Sequence, residues 1–428
     1  MIHAGMNNRH LYFVFATFVL SIIFDPITVN IAGRTPSIYL LDIAGILFIY
    51  FAVKKSNFLD TLRGNRNIFT SIISLMIFLI ILVIYSSNDL LKDLVIIKLY
   101  LSWPVIYLAC YSIAREVNRP VLLLFTILFV IIIICIQYIY NFYNYENYGI
   151  ISGRYLFNQV SSVKSAVGSS VGVSNTIAGV VALCFPLLTL FFKDDRLQFK
   201  IIGTCFGGIM IYCMIISLSR AASLALIAGI LIYFILTEKT FKKLSKSLLM
   251  GIMVLLIASY ALPEIKKIAY IDNIRRVADS ATENFIHEAR VLRWEASLEA
   301  IEEQPLGYGI NSYMYATSKS WDYGGSAHNI LLDVWFDTTI LGLIIFLYMS
   351  FKMIQKSIIY FRLAGANEKH ISIVVLSCLC IFWVNCMLEP NYYSIPYMYL
   401  YACILGIAAA QGQFIKKVRQ EIIQGVDC

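Results

Sequence analysis

The chain has 428 residues, of which 59% are apolar and only 14% charged, with a formal net charge of +8. A soluble domain carries about 25% charged residues because water must solvate its surface. This composition excludes one and fits a protein whose surface meets lipid. The basic excess is spread over short loops, which makes it a topology signal and argues against a nucleic-acid patch.

A membrane span needs ~20 mainly apolar residues. Such runs recur at 11–24, 38–53, 67–85, 94–112, 120–140, 174–192, 201–218, 221–236, 247–262, 328–351, 371–388 and 397–414. They are continuous rather than alternating, and lipid requires every backbone group to be satisfied internally, so they predict helices. The expected fold is all-α, a single polytopic membrane domain over 1–428 with about twelve transmembrane helices. No cleavage site of small residues follows the first run, which therefore reads as a retained span.

Alternate short loops collect the cations. One side takes Arg9, Lys54, Lys55, Arg63, Arg66, Arg115, Arg119, Lys193, Arg196 and Lys200. It goes on to take Lys239, Lys242, Lys243, Lys246, Lys352, Lys356, Arg362, Lys369, Lys416, Lys417 and Arg419. The opposite short loops hold Arg34, Lys92, Arg154, Lys164 and Arg220. The bias predicts that both termini are cytoplasmic. Two segments on the other side are long. Residues 141–173 read as an interfacial loop with an aromatic belt of Tyr138, Tyr140, Tyr143, Tyr145 and Tyr148. Residues 263–327 form a large loop between the ninth and tenth spans. Within it, Asp272 to Gln304 has the apolar spacing of an amphipathic helix, ended by Pro305 and Gly307-Tyr308-Gly309. The ten cysteines lie mostly within spans and suggest packing rather than disulfides or zinc.

Polar groups in spans are costly and mark candidate sites. Asp42, Lys98, Gln137, Asn385, Glu389 and Asn391 all lie toward the external ends of their spans. They read either as interfacial residues with a structural Asp42–Lys98 pair or, as a set, as a polar cavity open to the outside. Arg220 stands in Ser-Leu-Ser-Arg-Ala-Ala at a tight external hairpin, against the charge bias. Two readings fit it: snorkelling to headgroups, or a guanidinium held for a phosphate. Ser219 before it is placed to cap the following helix and add backbone N–H groups to the same anion site. Arg290 and Arg293, three apart, share a helix face, which is either a solvated surface or a second cationic group. His328 in Ser-Ala-His-Asn precedes the tenth span, with Asn329 beside it and Asp333 one to two turns on. It is either an interfacial cap or a proton acceptor near neutral pH.

Taken in order, Ser-Arg-Ala-Ala at 219–222, Ala-Arg-x-x-x-Trp-Glu at 289–295, Gln-Pro-Leu-Gly-Tyr-Gly at 304–309 and His-Asn-x-x-Leu-Asp at 328–333 resemble one family. It is the O-antigen ligase and O-antigen polymerase superfamily of bacterial envelope glycosyltransferases. The last motif is followed by Leu341-Gly342-Leu343, and the resemblance covers about residues 200–350. It implies a GT-C-like, inverting, metal-independent transferase that uses no cofactor. The donor would be a glycan on undecaprenyl pyrophosphate at the periplasmic face of the inner membrane. By position, Arg220 and Arg290 would bind the pyrophosphate, with Arg293 as a weaker helper, and His328 would be the base; Ser219, Asn329 and Asp333 would support them. A ligase would pass the glycan to lipid A–core, whereas a polymerase would pass it to another repeat unit. The same donor site serves both, and the compact tail and large loop favour the ligase. A transporter or flippase is the reading from another class. It is disfavoured because the polar groups crowd one face and no half-to-half repeat is visible.

Overall fold

A computed structural model describes residues 2–24, 27–28, 37–38, 40–56, 58–86, 90–148, 168–169, 172–193, 195–217, 219–237, 289–306, 308–310 and 326–423. These residues form an all-helical polytopic bundle. The only extended pairings among them are two antiparallel pairs of two-residue segments, at Ile27–Thr28 with Ser37–Ile38 and at Gly168–Ser169 with Gly172–Val173. Nine helices among the described residues are long and apolar enough to cross a membrane, and Arg9–Ile23 is a shorter apolar one. The expected span at 247–262 lies outside the described residues, as does the part of the amphipathic helix before 289.

In chain order the helices are α1 (Ile2–Leu20), α2 (Leu40–Lys55), α3 (Phe58–Gly64), α4 (Arg66–Ser86), α5 (Leu90–Val117) and α6 (Pro120–Tyr148). After α7 (Ser174–Cys184), a 3-10 turn at Phe185–Leu188 leads to α8 (Thr189–Phe192). Pro186 lies in that turn, where its missing N–H interrupts the α-helical ladder within one apolar run. There follow α9 (Leu197–Ser217), α10 (Arg220–Thr237), α11 (Ala289–Glu303), α12 (Ile330–Leu363), α13 (Ala366–Cys386) and α14 (Ile395–Ile423), with a 3-10 turn at Pro390–Tyr393 before the last.

α14 is the central helix: its membrane-length window is 89% buried, and it packs against α5 and α12. α4, α9 and α10 lie outermost, with their most apolar stretches only 28%, 28% and 22% buried. Ile77, Ile84 and Leu224 on these helices are exposed, as befits surface solvated by acyl chains.

Two elements depart from the expected layout. α6 continues to Tyr148 instead of ending near 140, so much of the expected aromatic belt is helical. Tyr138 is buried and its ring lies tilted at 59° to that of Phe142, while Tyr140 is exposed. The second departure is a break inside α12 at Thr339, whose φ of 59° and ψ of 175° lie outside the helical region. That conformation is strained for a residue with a branched Cβ.

The helices alternate in direction, so their ends form two faces. α10 and α13 run antiparallel. A Cβ on Gly229 would meet Ile381, and the Tyr233 hydroxyl lies 3.4 Å from His370 Nδ1. Arg220 lies roughly 13 Å along the axis from Gly229, toward the end of α13 that Glu389 follows. The N-termini of α7, α10, α12 and α14 therefore share one end of the bundle.

Candidate active site

The site is built around the start of α12. Asn329 caps that helix, its Oδ1 accepting from the Leu331 and Leu332 amides at 3.0 and 3.4 Å. An asparagine here satisfies two N–H groups that the first helical turn would otherwise leave unpaired. Asp333, one turn on and 1% exposed, turns back to the segment before the cap. Its carboxylate accepts from the Ala327 amide at 2.7 Å, the Asn329 amide at 3.3 Å and the Ser326 hydroxyl at 2.9 Å. The same Ser326 oxygen accepts the His328 amide at 2.9 Å. All four residues from 326 to 329 are thus tied to one buried carboxylate, directly or through one hydroxyl.

That clamp holds His328 at φ 57°, in the left-handed region. A β-substituted residue adopts this conformation at a cost and keeps it only where its surroundings impose it. The cap is Asn329, so the histidine is left to project. Its Nδ1 lies 3.5 Å from Glu389 Oε2, and its side chain is 24% exposed.

A second carboxylate, Asp337, lies four residues after Asp333 and so on the same face of α12. The Tyr100 and Tyr393 hydroxyls donate to its Oδ2 at 2.9 and 3.0 Å. Burial, and then the two aspartates, push the Tyr392 and Tyr393 phenols well above their ordinary range. The Tyr393 phenol stays protonated near neutral pH and donates to Asp337. The Asp42–Lys98 pair is present at 2.5 Å.

The other sequence-derived candidates sit on neighbouring elements. Ser219 is buried and its Oγ accepts the Ala222 amide at 3.4 Å, capping α10. Arg220 occupies the first position of that helix and is exposed. Arg290 lies in the first turn of α11 and Arg293 in the second. The Arg293 Nε is buried and has no hydrogen-bond partner among the described residues. α11 docks on the start of α12, where Ala300 and Ile301 form an apolar cluster with Ala327 and Phe336. Tyr308 stacks on Phe336 at 5.8 Å, and Trp335 Nε1 donates to the Pro305 carbonyl at 3.0 Å. The Gln-Pro-Leu-Gly-Tyr-Gly segment is therefore the brace between α11 and the histidine loop. Among the described residues no three His, Cys, Asp or Glu side chains gather as a metal site, and the nine described cysteines are free.

Sequence reading did not pair Glu389 with His328, and it did not single out Asn175, whose Nδ2 donates to Glu389 Oε1 at 3.2 Å. The available signal was a Glu-Pro-Asn at the end of a span, a charged group where lipid penalises one.

A strained histidine and three buried carboxylates, Asp333, Asp337 and Glu389, thus gather at one end of a multi-span bundle. Residues 205–347, about a third of the chain, match the family model described as O-antigen ligase, which supports a place in the O-antigen ligase superfamily. Ser219, Arg220, Arg290, Arg293, His328, Asn329 and Asp333 all fall inside the matched segment, whereas Asn175 and Glu389 fall outside it. No curated protein matches the chain.

Proposed function

We propose that the protein is a glycosyltransferase that moves a glycan from undecaprenyl pyrophosphate to lipid A–core at the periplasmic face of the bacterial inner membrane. The observation that carries this reading is His328, held in a strained conformation by the Asp333 clamp at the same end of the bundle as the capped start of α10 with Arg220. The acceptor hydroxyl attacks the anomeric carbon on the face opposite the leaving group, which inverts that centre. Its proton passes to His328 as the new C–O bond forms. The bond to the lipid pyrophosphate breaks and its electrons remain on the phosphate oxygen. Arg220 and Arg290 receive the charge that gathers there, with Arg293 assisting. Guanidinium forks at a water-poor surface stabilise such charge strongly, and the helix start beside Arg220 adds aligned N–H groups.

On this reading both termini are cytoplasmic, and no metal or cofactor takes part. Transfer is therefore unchanged by a chelator.

Glycan profiles of deletion strains test the assignment, because ligase and polymerase share a donor and differ in acceptor. Loss of a ligase leaves full-length polymer on its lipid carrier and lipid A–core bare. Loss of a polymerase leaves core capped by a single repeat unit. The expected result on a gel of extracted lipopolysaccharide is the first pattern, restored by the wild-type chain but not by His328→Ala. A one-repeat band identifies a polymerase, and an unchanged profile rejects both.

A further inference from the structure

We propose that Glu389 is the positioning partner of His328, fixing the imidazole in the tautomer that leaves Nε2 free to take the acceptor's proton. The proposal rests on the reading of His328 as the base. It adds a residue from outside the matched segment, contributed by the turn between α13 and α14.

The geometry carries it. Glu389 Oε2 lies 3.5 Å from His328 Nδ1, and Glu389 is only 3% exposed. An ionised carboxylate only accepts hydrogen bonds. Facing Nδ1, it favours a proton on that nitrogen, since the other tautomer would set lone pair against lone pair. Nε2 then carries the free lone pair. As Nε2 takes the acceptor proton, the Nδ1 proton stays in place, and Glu389, still ionised, faces the imidazolium that forms. At 3.5 Å the pair does not yet form a hydrogen bond, and His328 Nδ1 is buried with no hydrogen-bond partner among the described residues; catalytic hydrogen bonds tighten when substrate fills the site.

The carboxylate is itself held from the far side. Its Oε1 accepts Asn175 Nδ2 at 3.2 Å, Asn391 Nδ2 reaches the Asn175 carbonyl at 3.4 Å, and the same nitrogen donates to Asn385 Oδ1 at 2.6 Å. Gly179 lets α7 approach this close, because a Cβ there would stand 2.6 Å from Asn391 Nδ2. α7, the end of α13 and the following 3-10 turn thus converge on one buried carboxylate. Burying a charge from three elements is costly, which is hard to explain for a residue whose only task is to end a span.

The test uses the purified full-length chain in liposomes, with glycan extracted from the producing strain on its own polyprenyl pyrophosphate carrier as donor and lipid A–core as acceptor. Glu389→Gln keeps the shape and removes the charge. It is expected to lower kcat on the order of 10²-fold, within the range a general base supplies, while the donor KM stays within about twofold. Glu389→Asp recovers part of that loss. Placed on top of His328→Ala, Glu389→Gln costs less than about twofold more, because groups that act as a unit are not additive. If Glu389→Gln does not insert, Asn175→Ala leaves the carboxylate but removes the hydrogen bond from Asn175, and shows the same kcat-only loss at roughly tenfold within the same base-catalysis range. Wild-type kcat in Glu389→Gln overturns the proposal, and so does a rise in donor KM alone. A full second loss on the His328→Ala background overturns it as well. Those results leave His328 as the base, whereas a fully active His328→Ala removes the base and the proposal together.

Discussion

The two ends of the bundle handle charge in opposite ways. At the Glu389 end, Asp333, Asp337 and Glu389 are each 3% exposed or less, and each receives hydrogen bonds from side chains or amides of other segments. At the other end cations reach helix C-termini. Lys356 Nζ donates to the Gly64 carbonyl at 2.7 Å, Lys369 Nζ to Phe361 at 3.0 Å and Arg419 to Leu363 at 2.8 Å. Those carbonyls end or nearly end α3 and α12, where no intrahelical donor remains and the dipole favours a cation. A buried carboxylate fixed from several directions is a rigid reference for a reacting group. A partly exposed cation on a helix end is one of many that hold the bundle's orientation, and it is replaceable.

The largest expected effect concerns which end faces out. A membrane-impermeant thiol reagent applied to intact cells with a permeabilised outer membrane should label a cysteine placed at Lys319. It should not reach one at Arg63, whose side chain is 82% exposed at the cationic end. Labelling of both positions, or of Arg63→Cys alone, would break the contrast and remove the periplasmic site with it.

Next in size is the donor cation. Arg220→Lys keeps the charge and loses the fork, so one or more charge-assisted hydrogen bonds to pyrophosphate disappear. At ~1.5–3 kcal/mol for such a bond, transfer should fall roughly 10–100-fold, with normal insertion. Arg290→Ala should behave similarly and Arg293→Ala more mildly. Wild-type transfer in Arg220→Lys would return Arg220 to a snorkelling role.

Asp333→Asn probes the clamp. The amide supplies an N–H₂ group where the loop offers two amide donors and a hydroxyl, so at least one contact becomes donor against donor. The expected cost is about 1–3 kcal/mol of stability. Transfer falls because His328 is no longer held at positive φ. A variant with wild-type melting and wild-type transfer would show that the loop keeps its shape without the carboxylate.

Much of the bundle was legible because lipid imposes a simple rule: long apolar runs become helices, and the cations gather on alternate loops. The extension of α6 was not legible, since Asn141 to Tyr148 is polar enough to read as loop, yet the helix runs on to Tyr148. The break at Thr339 gave no signal either, as threonine has no preference for φ 59°. At the site, His328, Asn329 and Asp333 were readable because they lie within six residues and one helix start organises them. Glu389 and Asn175 were not, because they are 214 positions apart and meet only through the packing of α7 on α13. Polarity at a span end could flag each of them, but no sequence spacing could pair them.

The smallest expected effect lies at the cationic end. Lys356→Gln keeps a donor that can reach toward the Gly64 carbonyl but removes the charge and about one bond of length. A partly exposed cation on a helix C-terminus contributes ~0.3–1 kcal/mol, and Lys369 and Arg419 still reach the carbonyls at the end of α12. Transfer should stay within about twofold of wild type, the size of a ground-state perturbation below ~0.5 kcal/mol at the distant site. The thiol-labelling pattern should not change, because orientation responds to the summed Lys and Arg bias of many loops rather than to one residue. The informative measurement is the pair of readouts together. If Lys356→Gln cut transfer tenfold while melting and labelling stayed normal, the cationic end would be coupled to the carboxylate end along α12, through the break at Thr339. The division between a catalytic end and an anchoring end would then fail.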